Sequence, residues 1–408
     1  MFLLDFACTR FIENMEKSLD ITAFSLSLLI GNICTGSISQ WPNSTKDNPE
    51  NHMPHASLLN AGVYDEGTGC TDHPFHAENI IICGRGMING NGFRLSYNEG
   101  PNHYTGEGGQ PVPMSPRTDP TLRGRTLLLQ NARNVYVRDL ILSYSPSWNV
   151  HTLYCDHVTF DHLELITKGT GLTGAANQIC ILNGDGIDPD SSTNINIFDC
   201  FFFTGDDAVA IKSGRNREGN ELNRPSAYIR VTDCISENSK GGFCIGSEQA
   251  GGVHDILWQN LRVKNISLFG LWIKSGASRG GLVQDILWKD CLLTDTQGCI
   301  FAEYGYRGPD ANPAMVLPEI CDVLFENIAC TGKNNFGIHI TGLPDSYIHD
   351  ITFRGITFEK LRETQEPGFR VLCAQNIVLE DVKLPEGERW LTDEISTLIE
   401  EKTQLHRH

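Results

Sequence analysis

A short alternation of apolar and polar positions returns along most of the chain. Each copy opens with a polar residue, then Val or Ile, any residue, an apolar one, any residue, often Asp, Asn, His or Gly, and a further apolar residue. Ten copies begin at Asn79, Asn134, His157, Asn194, Tyr228, Asp255, Asp285, Asp322, Asp350 and Asn376. Period two predicts β-strand. The first gap holds a long insertion, and later copies follow one another at 23 to 37 residues. A second apolar track runs between them, at Gly186-Ile187, 208–211, 243–245, 271–273, 299–301 and 337–340, again short and flanked by glycine. Two or more short strands per unit, with no helical periodicity, describe one coil of a parallel β-helix in which each strand stacks on its equivalent one coil away. A leucine-rich repeat would need its leucine and asparagine pattern and a propeller would need even units near 40 residues, and neither fits. The expected fold is all-β, a single parallel β-helix of about ten coils over 61–385. Residues 1–60 read as an atypical or incomplete N-terminal cap with a degenerate first coil at 21–60, and 386–408 as a polar, helical C-terminal tail. Residues 94–124, rich in Gly, Pro, Asn and Arg, read as a long loop walling one side of the second track.

Composition narrows the partners. Hydrophobic residues make up 40 % and charged residues 20 % of the 408, which excludes a disordered chain. With 32 basic against 50 acidic side chains the formal charge is −18, a field that repels phosphate backbones and anionic lipid, so neither nucleic acid nor membrane is expected as a partner. A polyanionic polysaccharide would need cations placed locally in its cleft. The nearest approach to a membrane span, 21–34, is broken by Ser25, Ser27, Gly31 and Asn32. A signal peptide would place Lys or Arg next to a terminal apolar stretch, whereas this one follows twenty residues that include Asp5, Glu13, Glu16 and Asp20, so it reads as folded chain and not as a signal peptide. The 14 cysteines, several in the apolar slot of the strand pattern (Cys200, Cys234, Cys291), favour reduced thiols and a cytoplasmic setting. No CxxC pair occurs, and neither a metal nor a cofactor is expected.

Polar residues on the second track are clustered. Asn183-Gly184-Asp185-Gly186-Ile187-Asp188 lies in one unit and Gly205-Asp206-Asp207-Ala208 in the next. Residues at the same place in consecutive coils are about 4.8 Å apart, so three carboxylates converge across one rung. Asp beside Gly and Asn also makes ordinary turns, but two such motifs in register point to chemistry. Close acidic groups can divide the labour of acid and base, as in cleavage of a glycosidic bond.

These blocks, together with Ala210-Ile211-Lys212-Ser213-Gly214 and Ile245-Gly246-Ser247-Glu248, resemble the signature of glycoside hydrolase family 28, the polygalacturonases and their relatives. The resemblance covers roughly 78–385 and extends to Trp148 and His151, and the run at 212–215 looks most like the exo-acting branch. It implies a right-handed, pectin-lyase-like β-helix and inverting hydrolysis of α-linked galacturonic acid in pectic polysaccharide or oligosaccharide. By matching position Asp206 would be the general acid, while Asp185 and Asp207 would hold and activate the attacking water. One-rung neighbours are closer than the roughly 6.5 to 9.5 Å usual for inverting pairs, so the stereochemistry rests on the resemblance alone.

The chain departs from the family at its substrate-gripping blocks. Where the family usually has Gly-His-Gly and Arg-Ile-Lys, this chain has Ser239-Lys240-Gly241 and Trp272-Ile273-Lys274. Lys274 is kept, and Tyr306, after Glu303, matches the family's tyrosine. An indole cannot grip a carboxylate with two parallel hydrogen bonds as Arg does, but it offers a face on which a sugar can lie. Arg279 could return a guanidinium from its loop. Lys240, Trp272, Lys274, Arg279 and Tyr306 are the candidate substrate-binding residues, with packing of Trp272 and a solvated turn for Lys240 as the plain alternatives. A β-helix that only binds polysaccharide, or a calcium-dependent lyase, remains the competing function.

Overall fold

The computed structural model describes residues 2–5, 57–62, 75–90, 92, 104–105, 124–169, 179–181, 183–306 and 313–401. Most of the cap expected at 1–60 and of the loop expected at 94–124 lies outside the described residues, as does 402–408. The protein is all-β, built from parallel strands in stacked sheets, with a short helix at Asn216–Leu222. Among the described residues no helix is long and apolar enough to cross a membrane.

The repeat has a backbone cause. The first residue of all ten copies is left-handed, with φ between 50° and 59° from Asn79 to Asn376. The residue five places later repeats this in nine copies, at Asp139, His162, Asp199, Asp233, Asn260, Asp290, Asn327, Gly355 and Asp381. A left-handed conformation costs an ordinary L-residue about 1–2 kcal/mol, and Asn, Asp and Gly tolerate it best. The polar letters that frame each copy are therefore corner residues, bending the strand twice within one coil. Between them the alternation turns the second and fourth residues inward, as in Val135 and Val137, or Ile195 and Ile197, all at most 2 % exposed. Corner side chains also bond from coil to coil, Asn134 Nδ2 to Asn79 Oδ1 at 3.2 Å and Asn376 Nδ2 to Asp350 Oδ1 at 3.0 Å.

The chain divides into two units, 1–210 and 211–408. In the first, Ile80, Val135, Val158 and Ile195 stack as partners on successive rungs, so every copy meets the next at its second residue. A further sheet stacks Leu127–Gln130, Val150–Leu153 and Ile187–Asp190 with Leu127, Val150 and Ile187 in register, and Val209 follows against Ile187.

In the second unit the same rule pairs Ile229, Ile256, Ile286, Val323, Ile351 and Ile377. Its core carries an aromatic stack in which Trp258 and Trp288 lie 4.4 Å apart and nearly parallel, followed by Phe325 and Phe353. A second sheet runs through Phe243–Gly246, Phe269–Lys274, Gly298–Glu303 and Phe336–Thr341. The expected helical tail is corrected here. Trp390–Thr392 and Leu398–Glu401 are strands that pair with Phe369–Leu372 and Ala374–Glu380, with Leu398 in register with Ile377, the second residue of the last copy. Cys200, Cys234 and Cys291 fill the buried slot that the pattern assigned them.

Candidate active site

The carboxylate motifs both lie in the first unit. Gly186 N–H donates to the Asp207 carbonyl at 2.9 Å and Ile187 N–H to the Ala208 carbonyl at 3.1 Å. Extending the register of Ile187 with Val209 sets Asp185 beside Asp207 and Gly184 beside Asp206 on neighbouring rungs. Asp185 and Asp207 are buried, whereas Asp206 is half-exposed. Close rung contact explains the glycine of the first motif, since a Cβ on Gly186 would come within 2.3 Å of the Ala208 carbonyl oxygen. Carboxyl groups so placed can divide proton donation and water activation between them.

One rung earlier His151 stands opposite Asp188, and its Nε2 lies 3.3 Å from Asp190 Oδ2. Trp148 meets the imidazole edge-on at 4.9 Å and carries the Arg125 guanidinium 4.2 Å over its ring. Arg125, missed from sequence, is buried and donates to Ser147 Oγ at 2.9 Å. It belongs to none of the motifs read from sequence and lies 23 residues before Trp148, so only the fold reveals their contact.

The gripping residues lie in the second unit. Trp272 stands opposite Phe301 and Lys274 opposite Glu303 on adjacent rungs. The Lys274 ammonium is 4.4 Å from the Trp272 ring centroid and 6.0 Å from that of Tyr306, and the Arg279 guanidinium is 5.4 Å from the same tyrosine. The structure thus brings Trp272, Lys274, Tyr306 and Arg279 into one chain of ring and cation contacts. Arg279 is buried and donates from its guanidinium to Asn216 Oδ1 at 3.3 Å. Lys240 lies half-buried in the turn before Phe243–Gly246, where its carbonyl accepts the Leu268 N–H at 2.8 Å.

Trp272 does not offer the open face expected of it. The residue is 8 % exposed, Phe269 meets it edge-on at 4.6 Å, and the lysine covers its ring. Glu303, named from sequence only as a marker for Tyr306, faces Lys274, and burial pushes its carboxyl up against the pull of Arg370 and Lys274. The blocks at 212–215 and 245–248 also meet, with Ser213 N–H on the Glu248 carbonyl at 2.7 Å and Arg215 3.8 Å from the Glu248 carboxylate.

Among the described residues, the group whose side chains could jointly hold a metal ion is Glu319, Cys321 and His349, with ligand atoms within 4.8 Å of one another. Both ring nitrogens of His349 already face carboxylates, Glu319 at 3.1 Å and Asp350 at 2.7 Å.

The family model of the glycosyl hydrolases family 28 matches residues 73–368. This chain belongs to that family. It is similar to a probable polygalacturonase of Vitis vinifera, 29 % identical over 238 residues that make up 56 % of this chain and 45 % of the relative. The exopolygalacturonase of Thermotoga maritima shares 27 % identity with a TM-score of 0.51, over 71 % of this chain and 58 % of that one. A family 28 exopolygalacturonase of Yersinia enterocolitica has the same fold, at a TM-score of 0.68 and 18 % identity over 89 % of this chain and 66 % of that one. The chain spans about half the length of the curated relatives it matches.

Proposed function

We propose that this family 28 chain hydrolyses α-linked galacturonic acid in pectic polysaccharide or oligosaccharide, with inversion and from chain ends. The observation that carries the reading is the placing of Asp185 beside Asp207 on adjacent rungs, with half-exposed Asp206 next to them. Asp206 protonates the leaving glycosidic oxygen, a role that needs access to substrate. Asp185 and Asp207 hold the water and take its proton as it attacks the anomeric carbon. Exo action is supported by the run at 212–215 and by the name of the 27 % identical Thermotoga exopolygalacturonase.

For the anionic sugar we assign Lys274 as the gripping cation, with Tyr306 and Arg279 in contact beside it and Lys240 on the preceding coil. Trp272 acts as the surface on which that ammonium rests, in place of a sugar platform. A cytoplasmic setting is proposed on the burial of thiols in the apolar slots of the coils.

Product analysis on pectic oligosaccharides tests the whole reading. New reducing ends without ultraviolet absorbance are expected, and Asp206→Asn should lower kcat by about 10² to 10⁴ because an amide cannot protonate the leaving oxygen. An unsaturated, absorbing product would mean a lyase, and activity retained in Asp206→Asn would remove the assignment of the acid.

A further inference from the structure

Ten places after the first residue of a copy, five coils have another left-handed corner, Tyr144, Asn238, Asn265, Asp295 and Gly332, with φ from 51° to 72°. In the two coils that precede the carboxylate turns this place holds Thr167 and Thr204 instead. Both are fully buried, and both bond to the backbone of a motif. Thr204 Oγ1 donates to the Asp206 carbonyl at 2.8 Å. The hydroxyl of Thr167 serves two turns at once, donating to the Gly184 carbonyl and accepting the Gly205 N–H at 2.9 Å.

That hydroxyl is placed where the geometry matters. The Gly184 carbonyl belongs to the peptide that leads into Asp185, and the Gly205 nitrogen lies one residue before Asp206, so one oxygen atom is tied to both carboxylate-bearing segments. Thr167 is itself fixed, its N–H on the Phe203 carbonyl at 3.0 Å and its carbonyl accepting Ile181 N–H at 3.2 Å. The absence of a side chain at Gly184 makes room for this contact, for a Cβ there would lie 2.8 Å from the threonine oxygen. Gly184 and Gly205 both lie in the turns between strands, so neither bond belongs to a strand ladder.

We propose that Thr167 is a positioning residue whose hydroxyl sets the separation of Asp185 and Asp206. The proposal rests on the reading of those carboxylates as the acid and the water-activating group. A pair that must protonate an oxygen and deliver water to the same carbon works only at a fixed spacing, and a shift of about 1 Å costs on the order of a hundredfold in rate. The spacing also governs how strongly the carboxyls couple as they titrate, and so the width of the pH profile.

Thr167→Val keeps the shape and deletes the hydroxyl, while Thr167→Ser keeps the hydroxyl. Thr167→Val should lose about 10- to 100-fold in kcat on galacturonate oligomers, with KM within about twofold of wild type and an altered pH profile. Thr167→Ser should restore both the rate and the profile. A valine variant with a lower Tm but wild-type kcat and pH profile would make Thr167 merely structural and overturn the proposal, as would equal losses in the serine variant. Should the valine variant not fold, Thr167→Cys, whose thiol is only a weak donor, replaces it with the same expectations. If wild type itself releases no product, the hydrolase reading fails, and the clamp is then decided by crystal structures. An unchanged distance between Asp185 and Asp206 in Thr167→Val overturns it, and a widened one supports it.

Discussion

Replacing Lys274 by Met separates gripping from packing. The ammonium rests 4.4 Å from the Trp272 ring centroid, faces Glu303 across one rung, and belongs to a residue 8 % exposed. Methionine keeps the length and the apolar stem and can hold its sulfur against the indole, so only the charge is lost. The cation and ring contact is worth about 0.5–2 kcal/mol and is partly replaced by sulfur, so its share of the lost stability is roughly 1 kcal/mol, and Glu303 loses the pull of Lys274 while keeping that of Arg370. A charge-assisted hydrogen bond to a galacturonate carboxylate is worth about 1.5–3 kcal/mol. Its loss should lower kcat/KM by roughly 12- to 140-fold at 1.4 kcal/mol per tenfold. Because a carboxylate away from the breaking bond is held equally in ground and transition state, the loss should appear in KM with kcat kept. Initial rates on galacturonate oligomers and on their methyl esters, with Tm measured in parallel, check this. Wild type should prefer the free acid, and Lys274→Met should lose that preference. A KM within twofold of wild type, an unchanged preference and a lower Tm would refute the reasoning and leave the lysine as a structural cation on Trp272.

Tyr228 occupies a corner with φ 57° that the template otherwise gives mostly to Asn and Asp, and its ring is 56 % exposed with an edge contact to His254. Tyr228→Asn should therefore raise stability by about 0.5–1 kcal/mol, and a lower Tm would mean that the ring contact outweighs the backbone strain. Trp288 lies fully buried in the aromatic stack, and its indole N–H finds no hydrogen-bond partner among the described residues. Trp288→Ala should cost about 3–5 kcal/mol in denaturant unfolding, while Trp288→Phe should cost far less because it also removes the unsatisfied donor. Glu303 supplies a pH test, since burial raises its carboxyl in the folded state. A raised folded pKa favours folding below the unfolded value of about 4.3 and loses that contribution as pH rises through the folded one. The Tm of wild type should fall relative to Glu303→Gln over that acidic window and run parallel above it, whereas a constant difference would show that the residue does not titrate there.

The fold was legible because its determinants are local and repeat. A corner needs a residue that tolerates positive φ, the next residues alternate between core and solvent, and both needs recur once per coil, so the template could be found without alignment. The same reasoning failed at the end of the chain, where the polar character of 386–408 suggested a helical tail. There Trp390, Leu398 and Ile399 still had strand partners waiting on the preceding coil, and pairing decided the outcome over local composition.

The carboxylates were legible for a different reason, since Asp185, Asp206 and Asp207 sit in contiguous motifs whose glycines are required by close rung contact. What sequence could not supply was anything decided between coils. Residue type alone left Trp272 open between a sugar platform and a packed aromatic, because whether an indole face is open depends on where Lys274 folds, and here the ammonium takes the face. Glu303 became more than a marker only once the register set it against Lys274. Thr167 lies 17 residues from Gly184 and 38 from Gly205, in a stretch with no motif of its own. A signal did exist, for two coils have threonine at the place where five others turn left-handed, and those coils run directly into the two carboxylate turns. In a solenoid, then, a departure from the coil template is itself evidence, because each coil is an internal control for what the fold alone requires. Residues that keep the template serve stacking, and those that break it beside a motif are the first to examine for a part in the chemistry.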